Sequence, residues 1–333
     1  MKVIFYSARP YDKESMQALN QGKHEFVFIE ARLDDQTVKL AADYDAVCGF
    51  VNDTFSAPIL QLLKSAGIKF ILLRSTGFNN VDLKAADALG FTVMRVGYYS
   101  PYAVAEFAVT LMLALSRKIH RTYNKVREEN FLLDGLLGFD LHGKTVGVIG
   151  TGKIGQVLSR ILNGFGCHVL AYDVVENQSC KDAGARYCPL PELFIKSDII
   201  SLHVPLTPTT HHLINADTIS QMKRGVVLIN TSRGGLVDTT ALIHGLKSQQ
   251  LGAVGLDVYE EEGDLFFRDL SGQVLQDDRF ARLLSFPNVL ISGHQAFFTR
   301  EALHDIAAAT LANIEDFQAG RTNTSTLHAD LVR

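Results

Sequence analysis

The sequence has no apolar run of the roughly 18 residues that a membrane span requires, and no long run of charges of one sign. The net charge of −4 and the pI of about 6.3 argue against a surface for nucleic acid or for an anionic membrane. The four cysteines form no Cys-x-x-Cys pair, and Met1–Tyr6 has the pattern of a short strand, not of a signal peptide. We therefore expect a cytoplasmic protein whose cysteines are reduced.

Alternating strand and helix patterns divide the chain of 333 residues, 47% of them hydrophobic, into two lobes. In the first lobe, strands are predicted at Val3–Tyr6, Phe26–Ile29, Ala46–Val51, Phe70–Leu73 and Phe91–Met94. In the second lobe, they are predicted at Lys144–Ile149, His168–Tyr172, Ile199–His203, Val226–Asn230, Val254–Asp257 and Val289–Ile291. An amphipathic helix at Glu301–Gln318 has no strand after it, so we expect it to return to the first lobe.

The segment Gly150–Gly155 reads Gly-Thr-Gly-Lys-Ile-Gly between a buried strand and an amphipathic helix. Gly150 permits a tight turn, Gly152 lets the backbone approach a pyrophosphate, and Gly155 lets helix and strand pack closely. The helix N-terminus offers unpaired N–H groups and the positive end of its dipole to phosphates. These features predict a dinucleotide site, and the alternative is a glycine turn in another α/β domain, such as a methyltransferase.

The strand that follows this helix ends at Asp173, where a carboxylate can accept both hydroxyl groups of an adenosine ribose. The same carboxylate would repel a 2′-phosphate. The sequence therefore predicts NAD as the cofactor in preference to NADP.

Three kinds of chemically active side chain follow predicted strand ends in the second lobe: Arg233, the acids Glu260–Glu262, and His294. Because the carboxyl ends of parallel strands meet at one edge of a sheet, we expect these side chains beside the nicotinamide end of NAD. The set suits hydride transfer to a 2-oxo acid. A histidine exchanges the proton, a carboxylate orients the histidine, and an arginine binds the substrate carboxylate through two hydrogen bonds.

Each of these residues also has a purely structural interpretation. Taken alone, Arg233 would be a surface or helix-capping residue, Glu260–Glu262 a solvated loop, and His294 a core histidine with satisfied hydrogen bonds. Their occurrence on one edge beside the NAD unit favours catalysis.

The predicted fold class is α/β, with two Rossmann-like or flavodoxin-like parallel-sheet lobes and an active-site cleft between them. Residues 1–99 and 299–333 would form a discontinuous substrate-binding domain, and residues 100–298 a Rossmann domain that binds NAD. Ser100 and Pro101 mark the first helix of that second domain, since proline is favoured at the first helical position.

The chain resembles the D-isomer-specific 2-hydroxyacid dehydrogenases from Met1 to the C-terminal helix. The motifs that carry the resemblance are Leu73–Asp82, Tyr99–Pro101, Gly150–Gly155, Asn230–Gly234, Asp257–Glu262 and Gly293–Phe297. The resemblance implies that His294 is the proton donor and that Glu262, rather than Glu260 or Glu261, is its paired acid. It also implies that Arg233 binds and polarises the substrate.

The resemblance implies further contacts with the cofactor and the substrate. Those with NAD would come from the backbone of Lys153 and Ile154 at the pyrophosphate, Val204 and Pro205 at the adenine, Thr231 and Ser232 at the nicotinamide ribose, and Asp257 at the carboxamide. Those with the substrate would come from the N–H groups of Thr76 and Gly77 at the carboxylate and from an apolar wall of Tyr99 and Phe297.

An insertion separates Glu262 from His294, and Gly263 stands where glycerate and formate dehydrogenases of this fold usually have a proline. Both features favour the branch that reduces pyruvate to D-lactate. The alternatives are another small 2-oxo acid, namely hydroxypyruvate, phenylpyruvate or 2-oxoisocaproate, or an NAD-sensing corepressor of the same fold. The resemblance also implies a homodimer or homotetramer, formed through the helix after Pro101 and the connection before Lys144.

Two positions depart from the family pattern. Phe107 stands where many relatives carry histidine, and Thr210 stands where near relatives often place an asparagine close to the cofactor. His211 and His212 are predicted to be solvated loop residues. No metal site is predicted, since no further Cys or His spacing supports one.

Overall fold

The computed structural model of the protein describes residues 1–331, and its chain forms two compact units. The first unit is Met1–Ser100 with Phe298–Arg333, and the second is Pro101–Phe297. The strands are β1 (Lys2–Phe5), β2 (Glu25–Phe28), β3 (Ala46–Gly49), β4 (Phe70–Leu73), β5 (Thr92–Arg95), β6 (Thr145–Ile149), β7 (His168–Tyr172), β8 (Arg186–Tyr187), β9 (Ile199–Leu202), β10 (Val226–Asn230), β11 (Leu251–Leu256), β12 (Val289–Ile291) and β13 (Thr326–Leu327). The helices are α1 (Pro10–Asn20), α2 (Ala57–Ser65), α3 (Leu83–Ala88), α4 (Pro101–Ser116), α5 (Ile119–Arg127), α6 (Lys153–Gly164), α7 (Gln178–Asp182), α8 (Leu190–Lys196), α9 (Ala216–Gln221), α10 (Thr239–Lys247), α11 (Asp278–Leu284) and α12 (Arg300–Gln318).

The sheet of the first unit has the strand order β13-β5-β4-β3-β1-β2. Strands β1 to β5 are parallel, and β13 pairs with the edge strand β5 in the antiparallel direction. The C-terminal helix α12 packs on α1 and on β4 and β5. The ring of Phe317 on α12 stacks on Phe70 of β4 with centroids 4.1 Å apart. The terminal segment thus belongs to the first unit.

The sheet of the second unit is parallel throughout, with the strand order β12-β11-β10-β9-β6-β7-β8. Strands β6 to β11 follow the 3-2-1-4-5-6 order of dinucleotide-binding sheets, and β12 extends the edge. Helix α4 packs on α6 and buries one side in the core of this unit, at Ala105, Ala108, Leu111 and Met112. The prediction of two parallel-sheet α/β lobes is confirmed.

The structure corrects several predicted strand limits. Tyr6, His203 and Asp257 lie just past their strands, although the N–H group of each still donates to the neighbouring strand. The strand pattern in the sequence continues through these bonds, which explains the overestimate. Strands β8 and β13 were missed, because two residues are too few to show alternation. Within residues 1–331, no helix is both long and apolar enough to span a membrane.

Candidate active site

The glycine turn after β6 has the geometry that a phosphate-binding loop requires. Gly150 has a φ of 97°, in the left-handed region that glycine alone adopts readily. A Cβ on Gly155 would lie 2.0 Å from the carbonyl oxygen of Gly150, so the first turn of α6 fits only a glycine there. A Cβ on Gly152 would meet nothing within 4 Å, which leaves the approach to this part of the backbone open. The N-cap residue of α6 is Gly152, which has no side chain to cap the helix.

Asp173, at the end of β7, closes this turn. Its Oδ2 accepts the N–H group of Thr151 at 2.6 Å and the hydroxyl group of Thr151 at 3.2 Å. The Thr151 hydroxyl in turn accepts a hydrogen bond from Tyr187 at 2.7 Å. The Oδ1 atom of Asp173 accepts from the N–H group of Val174. The carboxylate is only partly buried and keeps lone pairs that a ribose could use.

Arg233 follows β10 in a loop that packs tightly on the loop after β11. The Nη1 atom of Arg233 donates to the carbonyl of Ser232 at 2.7 Å. The side-chain amide of Asn230 holds this loop from inside, donating to the Arg233 carbonyl at 2.8 Å and accepting the Ser232 N–H group at 3.0 Å. A Cβ on Gly234 would lie 2.1 Å from the backbone of Tyr259. The arginine loop and the acid-bearing loop are therefore in direct backbone contact.

His294 and Glu262 form the pair that the sequence analysis proposed. The Nδ1 atom of His294 lies 2.7 Å from Oε1 of Glu262, and the two side chains are 15% and 22% exposed. The second oxygen of Glu262 accepts the N–H group of Tyr259 at 2.9 Å, which fixes the orientation of the carboxylate. The ring of Phe267, from the insertion, lies 5.8 Å from the imidazole. The 32 residues between the two partners thus fold back to bring acid and histidine together.

Asp257 is buried completely, and its carboxylate organises the histidine loop. Oδ1 accepts from the Ser292 hydroxyl at 2.6 Å and from the Gln295 N–H group at 2.9 Å, and Oδ2 accepts from the Ala296 N–H group at 2.8 Å. Burial raises the pKa of Asp257 although these donors oppose the shift. The N–H group of His294 donates to the Asp257 carbonyl at 2.7 Å and holds His294 at a φ of 55°. These anchoring bonds were not predicted, because backbone donors leave no signal in the sequence.

His212 was predicted to be a solvated loop residue, but it is only partly exposed and pairs with Glu260. The Nε2 atom of His212 lies 2.6 Å from Oε1 of Glu260, and Oε2 of Glu260 accepts from the hydroxyl and N–H groups of Thr239. Burial alone would raise the pKa of Glu260, but these hydrogen bonds outweigh it and lower the pKa. The His212 N–H group donates to the Gly235 carbonyl, so this pair also braces the arginine loop. His211 is exposed, as predicted, and stacks on His212.

In the first unit, the loop after β4 presents two adjacent backbone donors. The N–H groups of Thr76 and Gly77 have no acceptor within residues 1–331. The carbonyl groups of the same loop are satisfied, that of Gly77 by the Ser75 hydroxyl at 2.8 Å and that of Thr76 by Arg95 at 2.7 Å. Unpaired consecutive N–H groups form a concavity suited to an anion.

The comparisons with known proteins agree with this geometry. Residues 109–296 match the model of the NAD-binding domain of D-isomer-specific 2-hydroxyacid dehydrogenases. The D-lactate dehydrogenase of Escherichia coli K12 is 50% identical over 323 residues, covering 97% of this chain and 98% of that protein. The chain belongs to this family.

Solved structures of the family are similar over nearly the whole chain. The apo-structure of E. coli D-lactate dehydrogenase has a TM-score of 0.89 and 48% identity, and covers 98% of this chain and 100% of its own. The pyruvate reductase of Chlamydomonas reinhardtii has a TM-score of 0.91 and 45% identity, with 97% of each chain covered. The predicted resemblance is confirmed, and the corepressor alternative is not favoured.

The second unit of this dehydrogenase has the features that NAD requires. The open space at Gly152 and the uncapped start of α6 suit a pyrophosphate. Thr231 has a buried Oγ1 atom that finds no hydrogen-bond partner among residues 1–331, which suits a ribose hydroxyl. Ser232 lies beside it and donates from its hydroxyl to the Val204 carbonyl at 2.6 Å.

The remaining predicted residues have the following surroundings. Val204 is buried, Pro205 is exposed, and Thr210 closes their loop by donating to the Pro205 carbonyl at 2.6 Å. Phe107 packs against the core of the second unit. Tyr99 is half-buried in the first unit and Phe297 is buried in the second, and their apolar wall stays a prediction.

Proposed function

We propose that this dehydrogenase reduces pyruvate to D-lactate with NADH. The observation that carries the proposal is the 2.7 Å contact between His294 and Glu262, on an edge that also bears Arg233 and the glycine turn. The names of the matched relatives, a D-lactate dehydrogenase and a pyruvate reductase, support pyruvate as the substrate.

His294 would deliver the proton in this reaction. With Nδ1 donating to Glu262, the Nε2 atom of the protonated ring faces no hydrogen-bond partner within residues 1–331 and is left for the substrate oxygen. Glu262, itself held by the Tyr259 N–H group, keeps the ring in one orientation. After proton transfer, Nε2 is bare and the bond from Nδ1 to Glu262 remains.

Arg233 would bind the substrate carboxylate and polarise its carbonyl group. The guanidinium takes part in none of the ion pairs within residues 1–331, so its charge is not neutralised by a protein acid. Its one hydrogen bond, to the Ser232 carbonyl, leaves its other donors for a ligand. NADH, when bound, supplies the hydride that goes to the carbonyl carbon. In the first unit, the N–H groups of Thr76 and Gly77 would receive the substrate carboxylate.

The first prediction tests this proposal. Absorbance at 340 nm, with NADH and a panel of pyruvate, hydroxypyruvate, phenylpyruvate and 2-oxoisocaproate, should show the highest kcat/KM with pyruvate, and the product should be D-lactate.

His294→Ala should lower kcat by about 10²–10⁴-fold, because a general acid is lost. Exposed His168→Gln is the matched control. Near-normal turnover in His294→Ala would refute the assignment of the proton donor.

We also propose that the chain is a homo-oligomer, formed through the segment from α5 to β6. This segment exposes a group of large apolar side chains in the second unit: Ile119, Tyr123, Phe131, Leu132, Leu133 and Leu137. Leu133 is 80% and Leu137 89% exposed, and a second copy would cover such a surface. A cytoplasmic location also remains a prediction.

The second prediction concerns this surface. Leu133→Asp with Leu137→Asp should convert the oligomer to monomers, because two charges cannot be buried in an apolar interface without a partner. Sedimentation equilibrium gives the mass directly. Val174→Asp, at a position that is 88% exposed outside the segment, is the control. An unchanged oligomer in the double variant would place the interface elsewhere.

A further inference from the structure

The loop after β4 has all three of its successive carbonyl groups engaged. The Ser75 carbonyl accepts from the N–H group of Val96 at 3.2 Å, the Thr76 carbonyl from Nη1 of Arg95 at 2.7 Å, and the Gly77 carbonyl from the Ser75 hydroxyl at 2.8 Å. With the carbonyls held in these bonds, the N–H groups of Thr76 and Gly77 are the ones that have no acceptor within residues 1–331. Of these three bonds, the one from Arg95 is the only one that carries a charge.

Arg95 stands at the end of β5 and differs from an ordinary surface arginine. It is partly buried, and its guanidinium lies over the ring of Phe78 at 5.0 Å, which holds it beside the loop. Its Nε atom is buried and has no hydrogen-bond partner within residues 1–331. Burial lowers the pKa of Arg95, yet an arginine stays protonated at neutral pH.

The Arg95 cation is not paired with any carboxylate of the described residues. Arg95 takes part in none of the ion pairs within the described part of the chain, whereas Arg74, one strand away, lies 3.2 Å from Asp12. A charge that is partly removed from water and has no counter-ion attracts a ligand anion more strongly than a paired or exposed one. The observation thus indicates where the counter-charge is expected, namely on the anion bound by the loop.

We propose that Arg95 is a positioning residue for the substrate carboxylate. It would hold the Thr76 carbonyl so that the N–H groups of Thr76 and Gly77 are aimed at the carboxylate, and it would place an uncompensated positive charge behind them. This inference rests on the proposed function, since it takes a 2-oxo acid as the ligand. It assigns substrate binding, not proton transfer, to Arg95.

Three substitutions separate the hydrogen bond from the charge. Arg95→Met removes both, Arg95→Gln keeps an N–H donor for the Thr76 carbonyl but no charge, and Arg95→Lys keeps the charge. We expect Arg95→Met to raise the KM for pyruvate by about tenfold or more. The KM of Arg95→Gln should be close to that of Arg95→Met, and the KM of Arg95→Lys should lie between those of wild type and Arg95→Met. The kcat at saturating pyruvate should change by less than about threefold, because the proton donor lies elsewhere.

Binding measurements show whether the effect is specific to the anion. The dissociation constant of oxamate, a carboxylate analogue of pyruvate, should rise in parallel with KM, whereas that of NADH alone should be unchanged by fluorescence titration. The control is Arg321→Met, which removes an exposed arginine of the same unit that is paired with Asp316. If Arg95→Met fails to fold, the Gln and Lys variants carry the test.

The results distinguish the inference from the proposed function. If wild type reduces none of the 2-oxo acids, the proposed function fails. If wild type is active but KM and oxamate binding are unchanged in Arg95→Met and Arg95→Gln, the inference alone fails. An equal loss of NADH binding, or a fall in kcat at constant KM, would show a merely structural role and would also overturn it.

Discussion

The two units are both parallel α/β structures, but they differ in what occupies the point where the strand order reverses. In such sheets, the crevice at that point is the usual ligand site. In the second unit it lies between β6 and β9, and glycines line it, with open space beside Gly152. In the first unit it lies between β1 and β3, and charged side chains of the protein itself fill it.

The crevice of the first unit is occupied by a buried network of charged side chains and their hydrogen-bond partners. Asp53 is 1% exposed and accepts from the Ser7 hydroxyl and the N–H groups of Leu33 and Phe50. Arg74 is also 1% exposed, and donates to Asp12 at 3.2 Å and to the Ser7 carbonyl at 2.8 Å. Topology therefore creates an equivalent crevice in both sheets, and side-chain volume and charge decide whether a ligand or the protein occupies it.

Loss of the buried cation in the first unit should lower the stability of the protein more than the other changes below. Arg74→Met should lower the free energy of unfolding by about 3–5 kcal/mol, because it leaves Asp12 and Asp53 buried without their cation. Urea unfolding followed by circular dichroism measures the loss. Exposed Arg321→Met removes a surface ion pair and should cost much less, because water screens the pair. Equal losses in the two variants would contradict a structural network.

Two glycines at the open crevice of the second unit differ in the space around them. Gly155→Ala should destabilise the protein by about 3 kcal/mol, because its Cβ would lie 2.0 Å from a backbone oxygen. Gly152→Ala should leave the melting temperature unchanged, since its Cβ would meet nothing within 4 Å. It should weaken NADH binding by at least about tenfold, because the methyl group would occupy the space for the pyrophosphate. Fluorescence titration and thermal melts separate the two effects. Normal NADH binding in Gly152→Ala would place the cofactor elsewhere.

The smallest effect concerns His203, which follows β9 and packs against Gly150. Burial lowers the pKa of His203 from 6.5 to about 4, so the fold keeps the ring neutral. As pH falls from 6.5 towards 4, the unfolded chain takes up a proton that the folded chain does not, and stability is lost over this window, by about 2 kcal/mol at pH 5. His203→Gln should remove this part of the loss of stability in acid. Unfolding curves at pH 7 and pH 5 give the free energies of unfolding that measure it. The control is His168→Gln, at an exposed position, and it should leave the pH dependence of stability unchanged. An unchanged pH dependence in His203→Gln would refute the explanation.

Much of the fold could be predicted because the strands of both sheets are short apolar runs between helical patterns. The strands Phe70–Leu73, His168–Tyr172, Val226–Asn230 and Val289–Ile291 have the predicted limits. The paired residues His294 and Glu262 could be proposed from strand ends together with the family motif. The anchoring of His294 by Asp257 and the pairing of His212 with Glu260 could not, because they join residues 37 and 48 positions apart through loops without a periodic pattern.

The sequence by itself determined the α/β class, the position of the dinucleotide turn and the residue types available for hydride transfer, since periodicity, glycine spacing and side-chain chemistry are local properties. Tertiary structure decided which acid pairs with which histidine, which crevice stays open, and which arginines have no ion pair within residues 1–331. Glu260 and Glu262 are two residues apart in sequence, yet they bind different histidines. Such choices depend on distances between loops from different strands, and only the packed sheet sets those distances.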